Sequence, residues 1–330
     1  MTSSLFASRR RIIAGGMAGM ALLPGVVRAA DRATSHPTDS LLSDQGDNVQ
    51  GDADLQNRLT LETMIDGKGP FHFVVDTGAD RSVISTELAA SLGLINDESV
   101  IVQGIARALP AETVMLQNIA FGPVEMSKLP VPMLPRKWLH TDGYLGLDVI
   151  DGRKVTFDFQ NHRIWFGRPM SEWDYAPKFM GSSEIVIRVD GSHGRLKAFN
   201  CAVDGVPVTA FIDSGAQATI GNSALFAGLA KNGAVFTKNA VVPLLGATGG
   251  EILGRVTNFD NIKFDTLNFN KSNLIIADLD VFNVWGLADK PALFIGMNFL
   301  QLMSSFTIDY RRKELHFKLA EEDYQRLARA

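Results

Sequence analysis

The sequence predicts an all-β protein of two similar lobes, and a repeated pattern carries that prediction. The stretch Phe73-Val74-Val75-Asp76-Thr77-Gly78-Ala79 recurs as Ala210-Phe211-Ile212-Asp213-Ser214-Gly215-Ala216. Each is a short apolar run, as in a buried strand, that ends in a sharp aspartate–hydroxyl–glycine turn. The flanking sequence repeats too. Ile65-Asp66-Gly67 stands before the first copy and Val203-Asp204-Gly205 before the second, both between apolar segments, as two-residue hairpin turns do. Downstream, Tyr144-Leu145-Gly146-Leu147 answers Phe294-Ile295-Gly296-Met297, and Asn118-Ile119-Ala120-Phe121 answers Asn261-Ile262-Lys263-Phe264. An internal duplication follows, with the halves expected to pack about a pseudo-twofold axis.

The chain opens with a targeting pattern. Arg9-Arg10-Arg11 precedes a glycine-containing apolar stretch that ends at Val27-Arg28-Ala29, the layout of an export signal over residues 1–29. The paired arginines point to the twin-arginine route, and the protein is expected in the periplasm or secreted. A membrane span needs about 20 apolar residues, and this stretch is short and broken by glycine and proline. No stable span is expected once the signal is removed. Residues 30–54, rich in Asp, Ser, Thr and Gly, read as a flexible acidic leader.

The first lobe covers residues 55–167. Strands are expected over 59–65, 71–75 and 82–85, and a short helix over 86–92 is stopped by Gly93. Residues 100–105 and a return over 111–117 form a hairpin with Gly104 near its tip. Pro130, Pro132 and Pro135 mark an edge or loop, because proline cannot donate to a sheet ladder. Residues 168–183 read as a linker between lobes. The second lobe, residues 184–319, repeats the plan, with a helix near 222–230 and a glycine-rich tip over 246–250. That tip lacks the Gly-Lys-Ser/Thr of a phosphate loop, so a second hairpin tip is the better reading. Residues 320–330 read as a charged helical tail.

Composition narrows the function. The 330 residues are 46% hydrophobic and 21% charged, an ordinary globular balance with enough chain for two cores. Net charge is −4 with no basic run beyond the N-terminus, so nucleic acid is not an expected partner. The single cysteine, Cys201, excludes an intrachain disulfide and reads as a small buried residue. There is no His-Glu-x-x-His metal motif and no Gly-x-Ser-x-Gly elbow. No metal or other cofactor is expected.

The chemistry is expected at Asp76 and Asp213. Equivalent turns about a twofold axis bring the two carboxyls together, where they cannot both ionise cheaply and titrate as a pair. The ionised member takes a proton from water while the other donates to a carbonyl. Thr77 and Ser214 are placed to cross-link the turns, and Gly78 and Gly215 to let backbone amides reach the carboxylates.

On Asp76-Thr77-Gly78-Ala79, Asp213-Ser214-Gly215-Ala216 and the apolar-glycine elements at Gly146 and Gly296, the chain resembles retropepsin-like aspartic proteases, joined here into one pepsin-like chain. The resemblance implies a bilobed acid protease fold of two β-barrel lobes with the active-site cleft between them. It implies an endopeptidase in which Asp76 and Asp213 are catalytic, acting on peptide or unfolded protein, as a monomer. Flap hairpins would close over the substrate near Gly104 and Ile105 in one lobe and Gly246, Gly249 and Gly250 in the other, with Asp80 contacting the substrate backbone. Leu147 and Met297 stand where viral members carry arginine, Gln217 stands where the first lobe has Asp80, and neither flap has a tyrosine. Alanine after each glycine, in place of a hydroxyl residue, removes hydrogen bonds from the ionised pair and predicts a mildly acidic to neutral optimum. The alternative is a non-catalytic periplasmic peptide-binding protein that keeps the cleft.

Overall fold

The computed structural model describes residues 11–13, 17–18, 47–53, 58–167, 184–192, 195–236 and 240–319. The fold is mostly β, in two closed barrels, consistent with a two-lobed retropepsin-like architecture. The anticipated hairpins form at the anticipated turns. Leu59–Ile65 pairs antiparallel with Lys68–Val75 across Asp66-Gly67, and Arg195–Val203 pairs with Val206–Ile212 across Asp204-Gly205. Both central residues have positive φ in each turn (50° and 74°, 44° and 78°), the geometry that matches the twist of the strands they join and favours Asp-Gly.

In each lobe a short strand then inserts beside the one that carries the aspartate. Gly143–Leu145 runs parallel to Lys68–Val75 and antiparallel to Val83–Ser85, while Ala292–Ile295 runs parallel to Val206–Ile212 and antiparallel to Ile220–Gly221. With strands on both edges these runs are buried, which is why they read as continuous apolar sequence. The first helix, Thr86–Leu92, has Ser85 capping Leu88 N–H and ends at Gly93 with φ 70°. Its counterpart, Ser223–Lys231, is capped by the buried Asn222. Pro130 and Pro132 lie within the strand Val124–Leu134, on a stretch that among the described residues pairs with Ala108–Phe121 alone, an edge position that a proline without a donor can occupy.

The lobes are joined by an antiparallel sheet. Lys154–Asp158 pairs with Ser305–Asp309 at its centre, flanked by Arg163–Gly167 on one side and Glu314–Lys318 on the other. Thr156 and Thr307 face each other at the middle of the central pair, their hydroxyls 2.7 Å apart. Phe157, Phe306 and Phe317 stack beneath, so one apolar cluster runs from lobe to lobe.

The leader reading needs correction. Asp47–Ala53 forms a strand that pairs with Arg163–Gly167 and with Leu59–Ile65. Its polar composition concealed this because the contact is made by backbone groups at two sheet edges, which need no apolar side chains. Within the segment read as an export signal, Arg11–Ile13 lies parallel to Ile101, Val102 and Gln103, and Met17–Ala18 lies antiparallel to Leu245-Gly246. The linker 168–183 and the tail 320–330 fall outside the described residues. No helix among the described residues is long and apolar enough to cross a membrane.

Candidate active site

Asp76 and Asp213 each follow the last residue of a buried strand. Their backbone N–H groups donate to Leu145 O (2.9 Å) and Ile295 O (3.0 Å) on the inserted strands, which fixes the point where each chain turns. Gly78 N donates to Asp76 Oδ1 at 2.8 Å, and Gly215 N and Ala216 N both donate to Asp213 Oδ1 at 3.0 Å. The turns face each other so closely that each glycine lies on the opposing carboxyl. A Cβ at Gly78 would lie 2.7 Å from Asp213 Cγ, and one at Gly215 would lie 2.3 Å from Asp76 Cγ. No other residue fits there.

The hydroxyl residues lock the pair. Thr77 Oγ1 donates to Ile212 O (3.1 Å) and accepts from Ser214 N (2.9 Å). Ser214 Oγ donates to Val75 O (2.7 Å) and accepts from Thr77 N (3.1 Å). Four hydrogen bonds thus cross between lobes within two residues of the carboxyls, all made by buried side chains.

Both carboxyls are buried, and burial is the largest cause raising each above its ordinary value. For Asp76 the charge of Asp213 raises it further, against hydrogen bonds from Gly78 and Ala79 and the field of Arg58. Asp213 is pushed up to about 7, against the hydrogen bonds of Gly215 and Ala216 and smaller contributions from Asp76 and Arg58. Asp76 Oδ2 is buried and accepts from no N–H or alcohol hydroxyl among the described residues, while the Asp76 carboxyl hydrogen-bonds with that of Asp213. A buried carboxylate oxygen is costly without a donor, and the proton shared with Asp213, or a water or substrate group between the carboxyls, would satisfy it.

The two glycine-bearing tips meet above this pair. Asn96–Gln103 and Ala108–Phe121 form the first hairpin, Val241–Gly246 and Glu251–Phe264 the second. Their tips interlock: Thr248 Oγ1 donates to Arg107 O (2.9 Å) and Arg107 Nε donates to Thr248 O (3.1 Å). A side chain at Gly104 would strike Thr248, one at Gly246 would strike Ile105, and one at Gly249 would strike Trp138 and Arg107. Gly250 lies beside Ala106 with φ 86°. Each tip is buried in the other lobe's apolar cluster, Ile105 in the C-terminal and Ala247 in the N-terminal one. Asp280 N also donates to Ile105 O (2.7 Å), and Gln103 Nε2 donates to Asp280 Oδ2. Asp80 sits half-buried at the end of the first turn.

Sequence reasoning missed the support behind the turns. Asp148 Oδ1 accepts from Ser82 N (2.8 Å) and Ser82 Oγ (2.7 Å), while Ser82 Oγ accepts from Gly146 N (3.0 Å). In the second lobe Asn298 Oδ1 accepts from Thr219 Oγ1 (2.8 Å), which accepts from Gly296 N (3.1 Å). These residues bind the apolar-glycine element to its turn. The signal was present: Gly146-Leu147-Asp148 and Gly296-Met297-Asn298 match in spacing. Arg58 was also missed. Fully buried, it donates to Tyr144 Oη (2.8 Å) and Leu139 O (3.0 Å).

The family model for aspartyl proteases matches residues 61–149 and 199–299, one region in each lobe and more than half of the chain together. The chain belongs to the aspartyl protease family. A comparison with curated proteins finds no match.

Proposed function

We propose that this chain is an exported, single-chain aspartic endopeptidase that arose by duplication and hydrolyses peptide bonds by direct attack of water. One observation carries the reading: two buried carboxyls pressed against each other's glycine turn and hydrogen-bonded to each other. In such a pair one proton is shared. The ionised carboxylate accepts a proton from the bound water as its oxygen attacks the scissile carbonyl. The protonated carboxyl donates to the carbonyl oxygen, giving a tetrahedral diol; the proton taken from water then passes to the leaving amine as the C–N bond breaks, while a diol hydroxyl returns its proton to the other carboxylate. The four hydrogen bonds of Thr77 and Ser214 keep the carboxyls in place, so little reorganisation accompanies charge movement.

The working pH follows from the same burial. The mechanism needs one carboxyl ionised and one protonated, and both are raised, so activity reaches into mildly acidic and neutral conditions. Peptide or unfolded protein is the substrate, and the periplasm or the exterior is the compartment. The test is hydrolysis of casein from pH 3 to 8 by wild type, Asp76→Asn and Asp213→Asn. The expected outcome is a loss of about 10³-fold or more in either variant, since proton transfer by a positioned group supplies about 10²–10⁴-fold. Variants that stay folded and active refute the paired-acid mechanism.

A further inference from the structure

Two buried carboxyls have an obvious resting state, in which both are protonated and neither can act as a base. The reaction needs one of them ionised. A single negative charge must therefore be favoured where burial drives charge away. Among the described residues that are buried, Arg58 is the one cation. It stands just before the strand Leu59–Ile65, and a closed triangle of hydrogen bonds fixes its guanidinium. Arg58 donates to Tyr144 Oη (2.8 Å) and to Leu139 O (3.0 Å), and Tyr144 Oη donates to the same carbonyl (3.1 Å). The guanidinium carbon lies 5.2 Å from the centre of the Tyr144 ring. Tyr144 pairs with Val74 on the inserted strand, and the next residue, Leu145, accepts from Asp76 N through its carbonyl. The cation is thus held against the strand that positions the first aspartate. Its field lowers both carboxyls, against the effect of burial.

The second lobe has an apolar equivalent. At the same distance before its hairpin turn stands buried Leu196, and the ring that matches Tyr144 is Phe294, packed on Trp285. The other charged and titratable groups around the pair are placed differently. Asp80 and Arg81 follow the first turn, half-buried, and Asp148 lies behind it in the field of Arg81. Asp280 meets the first flap tip. Tyr310, beside the joining sheet, is buried, and burial keeps its hydroxyl protonated with Asp151 and Asp76 adding to the effect.

Counting charge over Arg58, Asp76 and Asp213 selects one state. With both carboxyls protonated this buried set is positive, with both ionised it is negative, and with one shared proton it is neutral. A buried set without net charge is the least costly, because each ion answers another. We infer that Arg58 is the fixed counter-charge of the aspartate pair, a positioning residue that holds the pair in its one-proton form from behind the first aspartate. This rests on the paired-acid reading and adds what keeps that pair reactive: a single buried cation, supplied by one lobe.

The experiment follows the carboxyls directly. Wild type, Arg58→Met, Arg58→Gln and Arg58→Lys are prepared with isotope-labelled aspartate, and the carboxyl signals of Asp76 and Asp213 are titrated by NMR. Casein hydrolysis is measured in parallel over the same pH range. Methionine replaces the arginine stem and leaves Leu139 O its bond from Tyr144, and exchange of a buried charge for an apolar group of similar volume is often neutral for stability. In Arg58→Met the titration of the pair and both limbs of the activity profile are expected to move to higher pH by about one unit. That is the effect of a unit charge roughly 10 Å away at an effective dielectric constant of about 20. On the acid limb it reads as about a tenfold loss at fixed pH. Arg58→Lys keeps the charge and returns the limbs toward their wild-type position. Arg58→Gln repeats the shift and carries the test if Arg58→Met does not fold. An activity loss with an unmoved titration and profile marks a merely structural role and overturns the inference. So does a shift in Arg58→Lys as large as in Arg58→Met, or failure of both neutral variants to fold. If casein is not cut and the carboxyl titration still moves as expected, the protease reading falls and the counter-charge stands.

Discussion

The two halves of this molecule do the same task with different chemistry. Behind the first turn the supporting acceptor is a carboxylate, Asp148; behind the second it is an amide, Asn298. The ring beside the first aspartate is a tyrosine under a buried guanidinium, and the ring beside the second is a phenylalanine under a tryptophan. What the halves keep in common is backbone: the hairpin turns, the inserted strand, and the N–H groups aimed at the carboxyls. Scaffold geometry is constrained by the need to bring two carboxyls together, whereas the side chains one layer away differ between the halves.

Where the halves remain alike, substitution is expected to cost most. Thr77→Ala removes the donor to Ile212 O and the acceptor of Ser214 N, leaving two buried backbone groups unpaired. Each such group costs about 1–3 kcal/mol, so a loss of roughly 2–6 kcal/mol is expected in urea unfolding, with a similar loss for Ser214→Ala. A change below about 0.5 kcal/mol in both variants would show that the crossing bonds do not hold the lobes together.

A smaller effect separates the halves by pH. A carboxyl raised in the folded state binds protons more tightly there than in the unfolded chain, so its contribution is present at low pH and lost as pH rises from about 4. For Asp213 the loss continues up to about pH 7. Asp213→Asn removes that loss and is expected to stabilise by roughly 2–4 kcal/mol at pH 8 relative to pH 4. Thermal melts at the two pH values check this, and an equal shift at both contradicts the assignment.

The smallest effect concerns the acceptors. Burial also raises Asp148, opposed by its hydrogen bonds from Ser82. Asp148→Asn copies the second lobe, keeps an oxygen facing Ser82, and is expected to change stability by no more than about 1 kcal/mol, in the stabilising direction above neutral pH. A larger destabilisation would mean that the first lobe depends on the negative charge itself.

Much of this was legible in the chain because it is local. Asp66-Gly67 and Asp204-Gly205 demand their turns, Ser85 and Gly93 bound their helix, and the repeated Asp-Thr/Ser-Gly announced the paired site. Features that depend on distant backbone were not legible. Asp47–Ala53 reads as polar leader and is recruited by two open edges. Arg58 has the composition of a surface residue, and only the fold supplies Tyr144 Oη and Leu139 O around it. The glycines at the tips were found, but not that each tip is buried in the opposite lobe, because that contact joins positions more than a hundred residues apart.

The sheet centred on Lys154–Asp158 and Ser305–Asp309 has a consequence for how the site responds to dilution. A site shared by two separate subunits falls apart as concentration drops below their dissociation constant. Here both halves belong to one molecule, so one meets the other at a fixed effective concentration, which a short tether sets in the millimolar range. Assembly of the site is therefore unimolecular. The pairing of Asp76 with Asp213 is set by the fold of one chain and not by how dilute the protein is.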